Sequence, residues 1–418
     1  MKNKIKHEAL NLNRPSDFSP HRDSKSLEPE FGAASKRPAI HIKTFGCQMN
    51  VRDSEIICGL LKDAGYKICD SDKDADIIIF NTCSVRKHAE DRVWSLIGSY
   101  KGGKVIGLTG CMAQNYRDKA FQRDPGISFV VGTQDIEKIP KIVDQLSAVS
   151  FQPSAKSLFE RKIWETDGEG RPEEVYHTEF RQDKDHAYVV ISEGCSNFCS
   201  YCIVPYVRGP LRHRKRADII GEVRRAAEGG AARITLLGQN VNAYCDGKVD
   251  FPGLLKSVNA VSMLKEFDFF TSHPKDAGKS LFEAIAGLDK CAKRLHLPLQ
   301  SGSDRVLEMM NRGYTVKDYL ELADSYRRIV KNGLLTTDII VGFPGETGKD
   351  FESTCALLNK VGFNAAYIFK YSPRPGTKAA EKEETLSRKA KEERHEKILD
   401  LQRRISRRLN NKNANIKN

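Results

Sequence analysis

The sequence has no long hydrophobic run. No stretch of about 18 or more apolar residues occurs in its 418 residues, and a membrane-spanning helix needs such a stretch. Residues 1–30 contain no apolar core of the kind found in a secretory signal. They also mix Asp and Glu with Lys and Arg, which is atypical of a transit peptide. We therefore predict a cytoplasmic protein without membrane association.

Acidic residues are outnumbered by basic ones. The chain has 55 Asp and Glu against 68 Lys and Arg, which gives a formal net charge of +13. A cationic chain favours a polyanionic partner such as RNA. Solubility alone is the alternative explanation, and the charge by itself leaves both open.

Cysteine is plentiful, although the sequence has no secretory signal. Its 11 cysteines indicate a reducing compartment, where cysteines bind metal or do chemistry rather than form disulfides. Their spacing is therefore the most informative feature of the chain.

The first half of the sequence predicts one α/β domain. Residues 1–38 are polar and are expected to be a disordered leader. Residues 39–146 then alternate short apolar runs with helical patterns such as Ser54–Ala64. The apolar runs are Ala39–Phe45, Asp76–Phe80, Lys104–Thr109 and Ser128–Val131. Alternation of this kind predicts a parallel sheet covered by helices, with a flavodoxin-like arrangement.

A second α/β series follows a polar linker at residues 147–180. It occupies residues 181–405 and contains six strand candidates with helical patterns between them, such as Ile219–Ala227 and Val316–Lys331. The strand candidates are His186–Ile191, Arg233–Leu237, Glu266–Phe270, Arg294–Leu297, Leu335–Val341 and Ala366–Tyr371. Six strand–helix units predict a partial (β/α)6 barrel related to the TIM barrel. Residues 406–418 are expected to be a disordered tail.

Three cysteines directly follow the first strand of this second series. Cys195, Cys199 and Cys202 have the spacing CxxxCxxC. Thiolates are the usual ligands of a 4Fe-4S cluster, and three of them leave one iron without a protein ligand. Radical S-adenosylmethionine (SAM) chemistry requires such an open iron, on which SAM binds and receives an electron. A zinc site is the alternative, but structural zinc takes four ligands and the nearest candidate, His213, lies in a basic run.

A second set of three cysteines is spread over the first domain. Cys47, Cys83 and Cys111 each follow a predicted strand. The carboxyl ends of parallel strands meet along one edge of a sheet, where ligands bind. These cysteines are therefore candidates for a second 4Fe-4S cluster that also leaves one iron open. Three unrelated buried cysteines are the alternative.

The two sets together resemble the methylthiotransferases, a branch of the radical SAM superfamily. The resemblance covers residues 40–405 and rests on a series of motifs. The motifs are TFGCQMN (44–50), NTCSVR (81–86), GCMAQ (110–114), EGCSNFCSYCIVPYVRGP (193–210), LLGQNVNAY (236–244), TSHP (271–274), LHLPLQSGSDRVLEMMNRGY (295–314), TTDIIVGFPGET (336–347) and YSPRPGT (371–377).

The resemblance implies a tRNA-modifying activity. The combination of CQMN with NTCSVR is similar to the branch that methylthiolates carbon 2 of isopentenyladenosine beside the tRNA anticodon. Other branches act on threonylcarbamoyl-adenosine or on a ribosomal protein, and they tend to show CKVN or CxKN instead. The implied cofactors are two 4Fe-4S clusters and SAM: one cluster generates the adenosyl radical, the other supplies sulfur, and a second SAM supplies the methyl group.

Several residues of the second series are candidates for contact with SAM or the substrate base because of where they lie. Each candidate lies near a predicted strand end of the barrel or inside the cysteine loop. They are Tyr201, Gln239, Asn240, Ser272, Gln300, Ser301 and Asp338. The alternative for each is a role in stabilising its loop, since polar groups at strand ends commonly satisfy backbone groups.

A basic run follows the cysteine loop and is the candidate contact for tRNA phosphates. It contains Arg208, Arg212, Arg214, Lys215 and Arg216. A solvated surface segment is the alternative.

The family pattern normally continues into a small β-barrel RNA-binding domain, the TRAM domain. Nothing after Leu409 resembles strands, so this domain is expected to be missing. The remaining expectations are a monomer and a reductant such as flavodoxin or ferredoxin, with the sulfur donor left open. The alternative from another class is a non-catalytic iron–sulfur RNA-binding protein.

Overall fold

The computed structural model describes residues 16–17, 37–84, 87–100, 103–150 and 162–415. These residues form two compact units, which divide between Asp183 and Lys184. Most of the predicted leader, residues 1–15 and 18–36, lies outside the described residues, as do residues 416–418.

The first unit is built on one sheet. Its strands are β1 (Ser16–Asp17), β2 (Ala39–Thr44), β3 (Lys67–Ile68), β4 (Ile77–Thr82), β5 (Val105–Gly110), β6 (Ile127–Val131) and β7 (Ile163–Glu165). Strands β3 and β4 flank β2, and β5, β6 and β7 follow β4 outward, all in parallel. Strand β1 pairs antiparallel with β2. The order β3-β2-β4-β5-β6 is the flavodoxin-like order, which confirms the predicted fold.

Helices cover the sheet, and its central strands are buried. Every residue of β4 and of β6 is buried, as expected for parallel strands that are covered on both faces. The covering helices are α1 (Gln48–Asp63), α2 (Lys87–Ile97), α3 (Cys111–Tyr116), α4 (Lys119–Arg123) and α5 (Ile139–Ser150). Helix α1 begins six residues before the predicted Ser54, at the residue after Cys47.

The second unit contains six parallel strands in sequence order. They are β8 (His186–Val190), β11 (Arg233–Leu237), β14 (Glu266–Phe269), β15 (Arg294–His296), β16 (Leu334–Val341) and β17 (Ala365–Lys370). Strands β8, β11 and β14 pair side by side, as do β15, β16 and β17. A parallel bridge between Phe267 and Cys291 joins the two groups. The predicted partial (β/α)6 barrel is confirmed.

Helices connect the barrel strands, and the loops contain two short antiparallel strand pairs. The helices are α6 (Val204–Arg208), α7 (Arg216–Glu228), α8 (Phe251–Asn259), α9 (Lys279–Gly287), α10 (Asp304–Met309), α11 (Val316–Ile329), α12 (Gly348–Val361) and α13 (Arg388–Asn415). The short strands are β9 (Ser192–Glu193), β10 (Arg212–His213), β12 (Cys245–Asp246) and β13 (Val249–Asp250). The barrel core packs residues such as Ile234, Leu297 and Ile339 against α7, α8, α9 and α11.

The structure differs from the predicted segment boundaries in three places. Strand β1 (Ser16–Asp17) lies within residues 1–38, which were predicted as a disordered leader. The segment predicted as a linker, residues 147–180, contributes β7 to the first sheet, and the first unit extends to Asp183. The segment predicted as a disordered tail from residue 406 continues α13 as far as Asn415.

Candidate active site

The loop that follows β8 carries the three closely spaced cysteines. Cys195 and Cys199 are buried and Cys202 is half-buried. The Cys195 amide donates to the Gly209 carbonyl at 3.1 Å, and the Cys202 amide donates to the Cys199 carbonyl at 2.9 Å. The loop lies at the carboxyl end of the first barrel strand, where barrel enzymes carry their chemistry.

Close backbone packing at Gly194 holds this loop. Gly194 has φ +74°, and a Cβ placed there would lie 2.1 Å from the Pro210 carbonyl oxygen and 2.5 Å from that of Gly209. Only glycine fits such a position without moving the loop. Within the loop Phe198 also has a positive φ, 47°, which is costly for a bulky residue. The surrounding packing therefore holds the loop in a backbone conformation that is unfavourable for Phe198.

The thiols of the loop influence one another. Burial, together with the charges of Cys199 and Cys195, raises the pKa of the Cys202 thiol to about 12. Burial, together with Cys199, also raises the pKa of Cys195. The thiols of Cys195 and Cys202 are therefore costly to ionise alone, and binding to iron would remove this cost because the metal takes the thiolate form. The donor set therefore fits a cluster.

A single metal ion does not fit the cysteines as they stand. In the described part of the chain, no three His, Cys, Asp or Glu side chains converge at the spacing of one ion. A 4Fe-4S cube is a larger body than one ion, so its three thiolates lie further apart than the ligands of a zinc ion.

Arg312 contacts this loop from the segment after α10. Its Nη1 donates to Cys199 Sγ at 3.2 Å and to Tyr201 Oη at 3.3 Å. Its Nη2 donates to the Pro298 carbonyl at 2.9 Å, and its Nε donates to Tyr314 Oη at 2.9 Å. The side chain is buried, with 4 % of the residue exposed. Arg312 was not singled out in the sequence, although it lies within the motif at residues 295–314.

The cysteines of the first unit lie at adjacent strand ends. Cys47 follows β2, Cys83 follows β4, and Cys111 begins α3 directly after β5. Strand β2 is the point at which the strand order reverses, and ligands of flavodoxin-like sheets bind at that point. A Cβ placed on Gly46 would lie 2.7 Å from Cys83 Cβ, and one on Gly110 would lie 2.4 Å from the Thr82 carbonyl oxygen. The three cysteine-bearing turns therefore lie at neighbouring strand ends of one sheet.

Two buried asparagines fix these turns. Asn50 Nδ2 donates to Asn81 Oδ1 at 3.0 Å and to the Thr82 carbonyl at 3.2 Å. Asn50 Oδ1 accepts from the Cys47 amide at 3.4 Å. Asn81 Nδ2 in turn donates to the Asn50 carbonyl at 2.8 Å. The last residue of the CQMN motif and the first residue of NTCSVR thus hold two cysteine turns in a fixed relation.

The carboxyl ends of the barrel strands carry buried polar atoms that lack a protein partner. Such atoms are costly to bury and indicate a ligand or water that satisfies them. They are Ser192 Oγ, Gln239 Oε1, Asn240 Oδ1, Ser272 Oγ, His273 Nε2 and Gln300 Oε1. Gln239, Asn240, Ser272 and Gln300 are predicted SAM- or substrate-contacting residues, whereas Ser192 and His273 were not singled out.

His273 is held in its neutral form. Its Nδ1 accepts from the Lys275 amide at 3.3 Å. Burial, together with the charges of Arg312 and Lys275, lowers the pKa of His273 to about 2. The neutral ring with Nδ1 as acceptor carries its proton on Nε2, so the unpartnered Nε2 is a hydrogen-bond donor.

The remaining predicted contacts have partners within the fold. Ser301 Oγ lies 3.4 Å from Thr354 Oγ1 and accepts from the Ser303 amide at 3.3 Å. Asp338 Oδ2 lies 3.4 Å from His296 Nε2. Tyr201 Oη accepts from Arg312. The alternative of a loop-stabilising role is thus favoured for Ser301.

The basic run divides into buried and exposed residues. Arg214 is buried and pairs with Glu222 at 2.6 Å, and Arg208 is also buried. Arg212 lies 3.7 Å from Glu193, whereas Lys215 and Arg216 are exposed. This differs from the predicted set of phosphate contacts, because a buried guanidinium in an ion pair cannot reach an RNA backbone.

Family models match both units. Residues 39–132 match the model described as "Uncharacterized protein family UPF0004", and residues 189–358 match the Radical SAM superfamily. Together with the cysteine loop after the first strand of a partial barrel, this match defines the chain as a radical SAM enzyme.

Curated relatives show to which family of radical SAM enzymes the chain belongs. The chain is 42% identical over 382 residues to the tRNA-2-methylthio-N(6)-dimethylallyladenosine synthase of Moorella thermoacetica, covering 88% of this chain and 84% of the relative. It is 41% identical over 386 residues to the protein of the same name from Geobacter sulfurreducens, covering 89% and 83%. The chain belongs to this family of synthases.

Solved structures agree with the fold. The radical S-adenosylmethionine methyltransferase TsrM from Kitasatospora setae matches with a TM-score of 0.60 and 12% identity, over 83% of this chain and 77% of that one. The cobalamin-dependent radical enzyme OxsB matches with a TM-score of 0.52 and 13% identity, over 88% and 56%. At such low identity the likeness concerns the fold alone.

No helix among the described residues is both long and apolar enough to pass through a bilayer.

Proposed function

We propose that the chain converts N(6)-isopentenyladenosine beside the tRNA anticodon into its 2-methylthio derivative. The observation that carries the proposal is the pair of cysteine sets, each brought together at the carboxyl edge of its own sheet. Relatives named for this reaction are 39–43% identical to the chain over 376–391 aligned residues. When bound, SAM and the two 4Fe-4S clusters supply the adenosyl radical, the sulfur and the methyl group.

The chain's own residues hold and orient these groups. Cys195, Cys199 and Cys202 would ligate the cluster that binds SAM, on a loop fixed by Gly194. The unpartnered Ser272 Oγ and His273 Nε2 are hydrogen-bonding groups for SAM or the substrate base. Their fixed positions orient a ligand without a further ordering cost.

Cys47, Cys83 and Cys111 would ligate the auxiliary cluster. Asn50 and Asn81 stabilise the turns that carry Cys47 and Cys83 through buried hydrogen bonds. A Cβ on Gly46 or Gly110 would meet neighbouring atoms, and the lack of a side chain at these glycines would let backbone amides reach the cluster sulfurs. Such amides tune a cluster through hydrogen bonds to its sulfurs.

The proposal extends to partners and location. A low-potential one-electron donor such as flavodoxin or ferredoxin reduces the SAM-binding cluster, and the chain acts as a monomer in the cytoplasm. The 11 cysteines of the chain support a reducing compartment. Exposed Lys215 and Arg216 are the members of the basic run that support contact with tRNA phosphates.

Nucleoside mass spectrometry tests the proposal. Anaerobically reconstituted chain, SAM, dithionite and tRNA bearing isopentenyladenosine are expected to give the 2-methylthio nucleoside. Threonylcarbamoyl-adenosine in the same tRNA pool is expected to stay unmodified. If the methylthio group appears there instead, the substrate assignment is wrong, and if SAM is not cleaved at all, the chain is a non-catalytic iron–sulfur protein.

A further inference from the structure

Arg312 is a buried cation without a carboxylate partner. Within the described residues its contacts are a thiol, two phenols and a carbonyl, and it forms no ion pair. A buried charge is costly unless an opposite charge accompanies it. In the described part of the chain, the Cys199 sulfur in its thiolate form would be the one anionic group beside the guanidinium.

The contact with Cys199 is fixed from both sides. The segment after α10 binds the cysteine loop through Ser200, whose amide and Oγ donate to the carbonyls of Met310 and Met309 at 2.9 and 2.8 Å. Asn311 Nδ2 donates to the Phe198 carbonyl at 3.0 Å. These bonds tie the two segments together, and the bonds of the guanidinium to Tyr314 Oη and the Pro298 carbonyl hold it beside the sulfur.

A 4Fe-4S core with three thiolates has a net negative charge, which grows by one unit when the core accepts one electron. A fixed positive charge therefore stabilises the reduced state more than the oxidised one. The effect is large in a buried site because the local dielectric is low. Net charge and hydrogen bonds to sulfur are among the factors that set the potential of such clusters.

We infer that Arg312 is a positioning residue that raises the reduction potential of the SAM-binding cluster by its charge and its hydrogen bond to Cys199. The inference rests on the proposed function, in which Cys195, Cys199 and Cys202 hold that cluster. The cluster takes one electron from an external one-electron donor, and Arg312 stays cationic throughout, because guanidinium does not deprotonate in proteins. Arg312 thus lets a biological donor reduce the cluster.

Potentiometric titration followed by electron paramagnetic resonance (EPR) measures this effect. The full chain is reconstituted with iron and sulfide, and the signal component that changes on adding SAM is assigned to the SAM-binding cluster. Arg312→Gln is expected to shift the midpoint potential of this component to a more negative value. Arg312→Lys keeps the charge and is expected to restore part of the shift.

Lys275 provides a matched control. It acts electrostatically on Cys195 but is exposed, so solvent screens its charge. Lys275→Gln also removes one positive charge and is expected to shift the potential less than Arg312→Gln. Equal shifts in the two variants, or no shift in an Arg312→Gln protein with full iron content, would overturn the inference.

A second measurement needs no variant. Wild-type protein labelled with ¹⁵N-arginine and reduced with dithionite is expected to show a nitrogen coupling in pulsed EPR of the SAM-sensitive signal. Absence of this coupling would overturn the inference even if Arg312→Gln fails to take up iron. A wild-type protein without any SAM-sensitive signal would refute the proposed function, and the inference with it.

Discussion

At the scale of single residues, strand-end placement was enough to find polar groups that face no protein partner. Gln239, Asn240, Ser272 and Gln300 were predicted from their positions after barrel strands, and each has an unpartnered polar atom. The contact between Arg312 and Cys199 joins residues 113 positions apart. Local patterns contain no information about such a pair, so the sequence alone did not single out Arg312.

Alanine substitutions at Ser272 and Ser301 test which of the two serines contacts a ligand and which stabilises the fold. Ser272→Ala removes a hydroxyl that is unsatisfied in the free protein, so the unfolding free energy is expected to stay constant or to rise slightly. SAM affinity is expected to fall about tenfold, the loss of one hydrogen bond. Denaturant titration and isothermal calorimetry with SAM measure the two effects.

Ser301→Ala is the matched control with the opposite expectation. It leaves the Ser303 amide without its partner, so stability is expected to fall by about 1–3 kcal/mol while SAM affinity is kept. If Ser272→Ala instead destabilises the fold and leaves SAM binding intact, the unpartnered hydroxyl belongs to the fold and not to the ligand site.

At the scale of elements, apolar runs predicted ten of the described strands, whereas the other seven were missed, namely β1, β3, β7, β9, β10, β12 and β13. Strand β7 has only three residues, too few for a periodic pattern. The segment after it is held by Arg171, whose Nη1 contacts Asp53 Oδ1 at 2.6 Å, with both side chains 1 % exposed. This long-range ion pair makes part of the expected linker integral to the first unit.

Arg171→Met tests the role of that ion pair. It leaves the Asp53 carboxylate buried without this partner, and the unfolding free energy of the first unit is expected to fall by about 3–5 kcal/mol. The control is Arg117→Met, which breaks an exposed pair with Asp167 and is expected to cost at most about 1 kcal/mol. Equal effects in denaturant titrations would show that the Arg171 pair does not fix the segment.

Gly194→Ala tests the packing of the cysteine loop. Because the added Cβ meets two backbone carbonyls, the loop must move, and SAM cleavage is expected to drop roughly 100-fold. Gly247→Ala is the control: its φ is +59°, yet no atom lies within 4 Å of the added Cβ. It is expected to cost about 1 kcal/mol of stability without loss of SAM cleavage. Unchanged cleavage in Gly194→Ala would contradict the loop geometry.

At the scale of the whole molecule, each set of cysteines is complete within its own unit. Cys47, Cys83 and Cys111 lie before Asp183, whereas Cys195, Cys199 and Cys202 lie after Lys184. The sequence predicted both sets because strand ends and local spacing are local signals. Because each set lies within one unit, we expect that a substitution can remove one cluster and leave the other. Radical generation and sulfur insertion can then be abolished separately.

The most direct test of the account is a comparison of Cys111→Ala with Cys202→Ala in one anaerobic assay of 5′-deoxyadenosine and methylthiolated tRNA. Cys111→Ala is expected to retain about four irons and to cleave SAM, but to form no 2-methylthio nucleoside. Cys202→Ala is expected to lose both products. Methylthiolated tRNA from Cys111→Ala, or 5′-deoxyadenosine from Cys202→Ala at the wild-type rate, would contradict the assignment of the two sites.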